Sequence, residues 1–389
     1  MYKLIRITTV PLSLEKLLEG QLNFMQREYE VIAVSSEEVR LKELGRQIGV
    51  RTYSVEMTRE ITPTKDLGSL WRLYRFFKKE KPLIVHTHTP KAGIAGMMAA
   101  KMAGVPLRLH TVAGLPLLEA KGLKRKVLEY VEKITFASAT NVYPNSLKIY
   151  EYLRDNEYTF EDKLKVIGKG SSNGIDTEYF DPACYSEKEN LKFKRSLGIL
   201  EDDLVFIFVG RLVRDKGINE LVEAFEKINK EFPETSLLLV GPFEAELDPL
   251  KPEIIEKMTT HPKIYEVGYQ QDVRPFMAIA EILAFPSYRE GFPNVVMQAG
   301  AMGLASIVTN INGCNEIIKE GINGIIIPVR NTAALHQAMK KVVLDENFRL
   351  TLGGNSRKLI KDNFERTEIW KAILTEYKQL ERNLIKDNK

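Results

Sequence analysis

Val205-Phe206-Ile207-Phe208-Val209-Gly210-Arg211-Leu212-Val213-Arg214-Asp215-Lys216-Gly217 runs from an apolar block through a glycine and a short basic turn into an amphipathic stretch, Ile218 to Phe232. Consecutive apolar residues bounded by a turn signal fit a strand buried on both faces, as in a parallel sheet covered by helices. In open parallel sheets, ligands lie outside the carboxyl ends of strands, and a glycine there lets backbone approach a phosphate closely. Arg211 and Lys216 supply the positive charge a diphosphate needs, the arginine as a bidentate donor and the lysine as a mobile point charge. A tight strand-to-helix turn with solvated basic residues would leave the same pattern.

The rest of the second half repeats this grammar. Strands are predicted at Ser236 to Val240, Ile264 to Val267, Ile282 to Phe285, Ser306 to Val308 and Ile325 to Ile327, with helical patterns at Val273 to Ala280 and Val295 to Met302. The first half alternates likewise, with strands at Leu4 to Thr8, Val31 to Val34, Leu83 to Thr87, Arg108 to Val112 and Asn141 to Tyr143. Between them lie helical patterns at Leu14 to Met25, Asp66 to Lys79, Ala92 to Ala103 and Leu123 to Ala137. Such alternation predicts an α/β chain of two doubly wound, Rossmann-like domains. A chain of 389 residues also exceeds one ordinary core. The predicted division is 1–185, 186–366 and a last helix within 367–389, the crossover falling in the polar stretch from Ser171 to about Asp203. That last helix, Thr367 to Leu384, carries Ile369, Trp370, Ile373, Leu374, Tyr377 and Leu380 at three- and four-residue spacing and is expected to cross back to the first domain, ahead of a charged tail.

Composition narrows the classes further. Cys184 and Cys314 match no metal-ligand or redox spacing, which favours free thiols in a cytoplasmic protein. The N-terminus reads as a buried strand and not as a signal sequence, and no run of apolar residues is long enough for a spanning helix. The net charge of +4 is uneven: residues up to Tyr185 hold 28 Lys and Arg against 22 Asp and Glu, and the remainder is slightly acidic. The basic residues are spread over several helices without interleaved aromatics, which argues against specific nucleic-acid binding.

A second strand end, Ile282-Leu283-Ala284-Phe285-Pro286-Ser287, leads into Tyr288-Arg289-Glu290-Gly291-Phe292-Pro293-Asn294-Val295-Val296-Met297-Gln298-Ala299. Pro293 fits the first turn of a helix, and Gly291 permits an unusual backbone angle before it. The helix start offers free amides to an anion. Glu290 beside such a site suggests an acceptor for sugar hydroxyls; a surface glutamate ahead of a helix is the alternative.

Two strand ends in this order and spacing resemble the donor domain of glycosyltransferase family 4, a retaining, metal-independent family of GT-B architecture in which two Rossmann-like domains face each other across a cleft. The resemblance covers nearly the whole chain. The family signature is a glutamate, seven residues and a second glutamate; here Glu290 holds the first position and Gln298 the second. By resemblance, Glu290 contacts the transferred hexose, Arg211 and Lys216 the donor diphosphate, and Gln298 the ribose, as a neutral amide where a carboxylate is expected. The expected donor site comprises Gly210, Arg211, Lys216, Glu290, Gly291, Phe292, Pro293, Asn294, Val295 and Gln298, with Glu290, His110, Arg211 and Lys216 as its catalytic set. His110 resembles the family histidine that contacts the transferred sugar; a buried histidine satisfying a neighbouring polar group is the alternative. Ser172-Asn173-Gly174-Ile175-Asp176-Thr177-Glu178-Tyr179-Phe180 looks like the family's Asn-Gly-hydrophobic-Asp…Phe element that ends the first domain, and its Asn-Gly and Asp are also good turn residues.

In the first domain, Val85-His86-Thr87-His88-Thr89-Pro90-Lys91-Ala92-Gly93 closes a strand and opens a helix, making His88, Thr89 and Lys91 acceptor-side candidates. No carboxylate or cysteine accompanies the histidines, so no metal is expected. The glycine pair usual after the family's first strand is replaced by Thr8-Thr9-Val10-Pro11-Leu12-Ser13. His-Thr-His-Thr-Pro-Lys-Ala-Gly and Arg-Glu-Gly-Phe-Pro-Asn-Val-Val further resemble family members that build capsular or other surface polysaccharides on a lipid carrier. The resemblance implies a nucleotide-sugar donor, with UDP favoured, and a lipid-linked glycan acceptor. Leu123, Val127, Leu128, Val131 and Ile134 form an apolar stripe beside Lys121, Lys124, Arg125, Lys126 and Lys133, a pattern that fits either an anionic membrane surface or packing on the sheet. The expected location is the cytoplasm, free or against the inner face of the membrane. Two rival readings are an epimerase of nucleotide sugars on the same architecture, which would need acid-base pairs, and a binding subunit without catalysis. No cofactor is expected.

Overall fold

The computed structural model describes residues 1–58, 63–115, 117, 120–244 and 248–387. It divides into two compact units, residues 1–173 with 367–389 and residues 174–366. The final two residues of the charged tail lie outside the described set.

The first unit is built on a parallel sheet of six strands: β1 (Lys3–Ile7), β2 (Glu30–Ser35), β3 (Arg51–Ser54), β4 (Ile84–Thr87), β5 (Leu107–Val112) and β6 (Asn141–Pro144), in the order β3-β2-β1-β4-β5-β6. Five of these coincide with the apolar runs. β3 was not predicted, because its Arg-Thr-Tyr-Ser sequence is that of a half-buried edge strand. The helical pattern over Leu14 to Met25 is two short helices, Pro11–Leu17 and Gln21–Met25, parted where Gly20 takes φ +73°. Ile369, Ile373 and Tyr377 of the last helix, Arg366–Asp387, pack among Leu4, Leu107 and Leu109, so that helix completes the core of the first unit.

The second unit repeats the plan with β7 (Leu204–Val209), β8 (Thr235–Val240), β9 (Ile264–Glu266), β10 (Ile282–Phe285), β11 (Ala305–Thr309) and β12 (Gly324–Ile327), in the order β12-β11-β10-β7-β8-β9. Val205, Phe206, Ile207 and Phe208 are wholly buried, as a strand covered on both faces requires. In each sheet the strand order reverses beside the first strand, between β1 and β4 and between β7 and β10, where doubly wound folds bind ligands.

Residues 174–185 lie with the second unit and not with the first. Ile175 N–H donates to the Phe364 carbonyl at 2.8 Å, Phe180 is buried in the second core, and Arg357 pairs with Asp181 at 2.6 Å. Asn173, the last residue of the first unit before the division, is buried there: its Oδ1 accepts from Trp370 Nε1 at 2.7 Å and from Gln21 Nε2 at 3.0 Å.

Candidate functional site

The two strand ends singled out in the sequence are neighbours, since β7 and β10 pair in parallel at the switch point of the second sheet. After β7, Gly210 takes φ +153°, and after β8, Gly241 takes φ +147°. A Cβ on Gly241 would lie 1.8 Å from the Gly210 carbonyl oxygen, so the two loops touch backbone to backbone. Gly210 N–H donates to the Val240 carbonyl and Leu212 N–H to the Pro242 carbonyl, holding the loops together. Gly217, at φ +73°, starts the helix Ile218–Glu231, and a Cβ there would meet the Pro286 carbonyl oxygen at 2.2 Å. Glycine is therefore required for the basic turn to pack against the end of β10.

That packing brings the charges together. Lys216 Nζ donates to Glu290 Oε1 across 74 positions of sequence, and Ser287 Oγ donates to the same oxygen at 3.1 Å. The side chains of Lys216 and Glu290 are only 15% and 17% exposed. Arg211 Nη1 pairs with Glu244 Oε2 at 2.6 Å, and Glu244 belongs to the loop after β8. Asp215 holds the frame: its carboxylate accepts from Arg289 at 2.7 Å, its N–H donates to Asp248 Oδ2 at 2.6 Å, and its carbonyl accepts from Tyr288 N–H at 2.8 Å. Tyr288 O–H in turn donates to Glu220, and the Arg330 guanidinium lies 4.6 Å over the Tyr288 ring. Arg211, Lys216 and Glu290 thus stand on loops that brace one another.

The Glu290 segment departs from expectation in two details. Pro293 is the cap residue and Asn294 the first helical one, because the Pro293 carbonyl already accepts from Val296 N–H to close the first turn of Asn294–Ala301. Gly291 does not take a positive φ; the glycine that does is Gly313, at φ +72°, where a Cβ would stand 2.6 Å from the Gly291 carbonyl oxygen. Phe292 is buried against Phe364, with ring centroids 5.5 Å apart. Asn294, Val295 and Gln298 are half-buried on the first turns, and the Gln298 amide makes no side-chain hydrogen bond among the described residues. Buried Cys314 lies close by; burial first, then the charge of Glu290, pushes its thiol well above the usual range, so it is an inert neighbour.

In the first unit, the β1–β4 switch point collects the histidines. His86 is saturated, with Nδ1 on Tyr377 O–H at 2.5 Å and Nε2 on Thr111 Oγ1 at 2.7 Å. His88 Nε2 accepts from Arg6 Nε at 3.0 Å, which places the proton of the neutral ring on Nδ1, and that buried nitrogen has no hydrogen-bond partner among the described residues. Arg6 is fully buried and donates also to Tyr377 O–H and Gln21 Oε1, all of them neutral groups. Thr89 accepts from Thr9 N–H at 3.0 Å and Lys91 pairs with Asp66 at 2.6 Å. His110 Nδ1 bonds Thr87 Oγ1 at 2.7 Å, and its ring lies where a Cβ on Gly93 would stand 2.6 Å from Cε1. Burial holds it neutral, its pKa pushed down to about 4.

Sequence reasoning missed Glu244, Ser287, Asp215, Gly241 and Gly313. Gly241-Pro242-Phe243-Glu244 closes a predicted strand as Gly210-Arg211 does, and that glycine was the available signal. Nothing in the local sequence pairs Glu244 with Arg211. Among the described residues, no group of three or more His, Cys, Asp or Glu side chains gathers as a metal ion would need. No helix there is long and apolar enough to cross a membrane.

Comparison with known proteins matches residues 189–359 to the glycosyl transferases group 1 model and residues 23–170 to the glycosyl transferase 4-like domain model. The chain is 33% identical to the capsular polysaccharide biosynthesis glycosyltransferase CapM of Staphylococcus aureus over 376 residues, 96% of each chain. It is 30% identical to the UDP-Gal:alpha-D-GlcNAc-diphosphoundecaprenol alpha-1,3-galactosyltransferase of Escherichia coli, over 92% of this chain and 93% of that one. Among solved structures, Anabaena HepE in complex with UDP superposes with a TM-score of 0.80 at 17% identity, covering 97% of this chain and all of the other. That last likeness is one of fold: two Rossmann-like domains of the GT-B class.

Proposed function

The chain belongs to the glycosyl transferases group 1 family and is a glycosyltransferase, and from that premise we propose that it moves a hexose-type sugar, with retention, from a nucleotide-sugar donor to a lipid-linked glycan acceptor in surface polysaccharide assembly. The observation that carries the donor half is the convergence of Arg211, Lys216 and Glu290 on the β7 and β10 ends of one switch point. CapM of Staphylococcus aureus, by name a capsular polysaccharide enzyme, and the Escherichia coli galactosyltransferase, which uses UDP-Gal and a diphosphoundecaprenol acceptor, support the pathway and a UDP-sugar donor. Both of these relatives are glycosyltransferases by name, which favours transfer over the rival readings, an epimerase or a silent binding subunit.

On this reading, Arg211, Lys216 and the amides opening Asn294–Ala301 stabilise the charge that develops on the leaving diphosphate. Glu290 accepts hydrogen bonds from the transferred sugar; His110, whose Nδ1 is taken by Thr87, keeps Nε2 for a substrate contact. The leaving phosphate itself accepts the proton of the incoming hydroxyl, so no protein base and no metal is invoked. Gln298 bonds the ribose as a neutral amide.

The acceptor's lipid implies a membrane surface, and helix Gly122–Ser138 suits one. Leu123, Val127 and Tyr130, at helical spacing, are 78%, 40% and 69% exposed, with Lys121, Lys124, Lys126 and Lys133 exposed around them. Leu128, Val131 and Ile134 are half-buried and Phe136 is in the core, so the stripe divides between sheet and surface.

The test is a thermal-shift panel of nucleotide sugars, followed by transfer assays with the responding donor and lipid-diphosphate glycans. A bound donor raises stability in proportion to ligand concentration over Kd. Stabilisation by one UDP-sugar and release of UDP only with acceptor present support the reading. Turnover of donor into its epimer without acceptor overturns it.

A further inference from the structure

Both cations of the proposed donor anchor are paired with carboxylates of the second unit. Lys216 is held by Glu290 and Arg211 by Glu244, the latter at 2.6 Å. The two carboxylates differ in kind. Glu290 comes from the sugar-contacting segment and stays engaged by Ser287 Oγ at 3.1 Å whatever Lys216 does. Among the described residues Glu244 pairs with Arg211 alone, and the Glu244 side chain is 36% exposed, so it can swing into solvent.

Its position is nonetheless fixed from below. The loop carrying Glu244 is tied to the Arg211 turn by Leu212 N–H on the Pro242 carbonyl at 2.8 Å and by the Leu212 and Phe243 bridge. Gly241 lies so close to Gly210 that no side chain fits between them. Farther along, Asp248 takes Asp215 N–H at 2.6 Å and Arg214 at 3.0 Å. The loop therefore brings a carboxylate to the guanidinium and holds its backbone there.

We propose that Glu244 is an internal counter-ion that tunes donor affinity: its carboxylate holds the anion seat on Arg211, and a nucleoside diphosphate binds by exchanging with it. This rests on the donor-site reading of Arg211 and Lys216. The single Nη1 contact to a Glu244 oxygen is the charge-assisted hydrogen bond that a phosphate oxygen would also make. A ligand without a phosphate cannot displace Glu244 and gains nothing from Arg211. A diphosphate does displace it and must repay the ion pair that it breaks. Glu244 thereby lowers the affinity of the Arg211 seat for every anion, so that an anion too weak to displace it gains nothing there, and it leaves the binding of a neutral nucleoside unchanged.

The experiment measures binding of uridine and UDP by calorimetry to the wild-type chain, Glu244→Gln, Arg211→Ala and the double variant. A partly exposed ion pair contributes little, so Glu244→Gln is expected to tighten UDP by about two- to five-fold and to leave uridine unchanged. The gain should vanish in the Arg211→Ala background, and should shrink as salt screens the pair. Unchanged or weaker UDP binding in Glu244→Gln, with Arg211→Ala still weakening it, overturns the exchange while leaving the donor site standing. Arg211→Ala binding UDP as the wild type does instead removes the donor-site reading itself. Thermal unfolding of each variant shows whether the fold is intact, and Glu244→Asp provides a second variant that keeps the charge and shortens the reach.

Discussion

Lys216→Ala separates what the lysine does for the fold from what it does for the ligand. In the empty protein it leaves Glu290, 17% exposed, with Ser287 as its neutral partner. Removing one member of a fully buried pair costs about 3–5 kcal/mol, whereas an exposed pair is worth about 0–1 kcal/mol. With both side chains mostly covered, the expected loss of unfolding free energy is about 1–3 kcal/mol, read by urea denaturation or as a fall in Tm of roughly 2–4 °C per kcal/mol for a unit of this size. For the ligand, a charge-assisted hydrogen bond to phosphate is worth about 1.5–3 kcal/mol, a weakening of UDP binding by roughly 10- to 150-fold. Adding Glu290→Gln removes the stranded charge, so the double variant should regain most of the stability and none of the affinity. Calorimetric titration of UDP against the wild type and both variants gives the answer. Recovery of affinity in the double variant, or a single variant that binds UDP normally, would show that Lys216 does not touch the diphosphate.

Other outcomes follow from the same geometry. Glu290→Ala should reduce transfer severely; intact turnover would displace it from the sugar site. Gln298→Glu should keep or improve UDP binding, and a loss beyond about ten-fold, roughly 1.4 kcal/mol, would mean that the amide donates to the donor. Gly241→Ala places a methyl against the Gly210 carbonyl at a positive φ and should destabilise the second unit by about 2–4 kcal/mol; normal stability would contradict the loop contact. His110 is held neutral down to about 4 against an ordinary 6.5, so between those values the unfolded chain takes up a proton that the folded one refuses. Its contribution is present above about 6.5 and falls by about 1.4 kcal/mol per pH unit until it levels off below about 4. His110→Gln should reduce the acid slope of unfolding free energy by one proton, and an unchanged slope would refute the buried neutral histidine.

Most of the architecture was legible because burial on both faces writes itself as unbroken apolar runs. All six strands of the second sheet and five of the first stand where strands are predicted, most of them on clusters of Val, Ile, Leu and Phe, while β3, at the edge, carries no such run. The strand-end glycine Gly210, the cations Arg211 and Lys216, and Glu290 were legible for a similar reason: each follows directly on a buried strand, and the fold brings such ends to one edge. The place of the chain division was not. Residues 174–185 read as polar linker, yet Ile175, Phe180 and Asp181 are bound into the second unit by partners at 357 and 364, too distant in sequence for any local pattern to show.

The sequence alone therefore determined which residues are strands, that both sheets are parallel and doubly wound, and which residues at the strand ends carry charge, since these depend on burial period and on neighbours a few positions away. Only the tertiary structure decided how those charges are paired. Glu244 meets Arg211, Glu290 meets Lys216, and Gly313 in place of Gly291 gives the loop its room, because each contact joins separate crossovers whose meeting depends on the strand order and the close approach of their backbones.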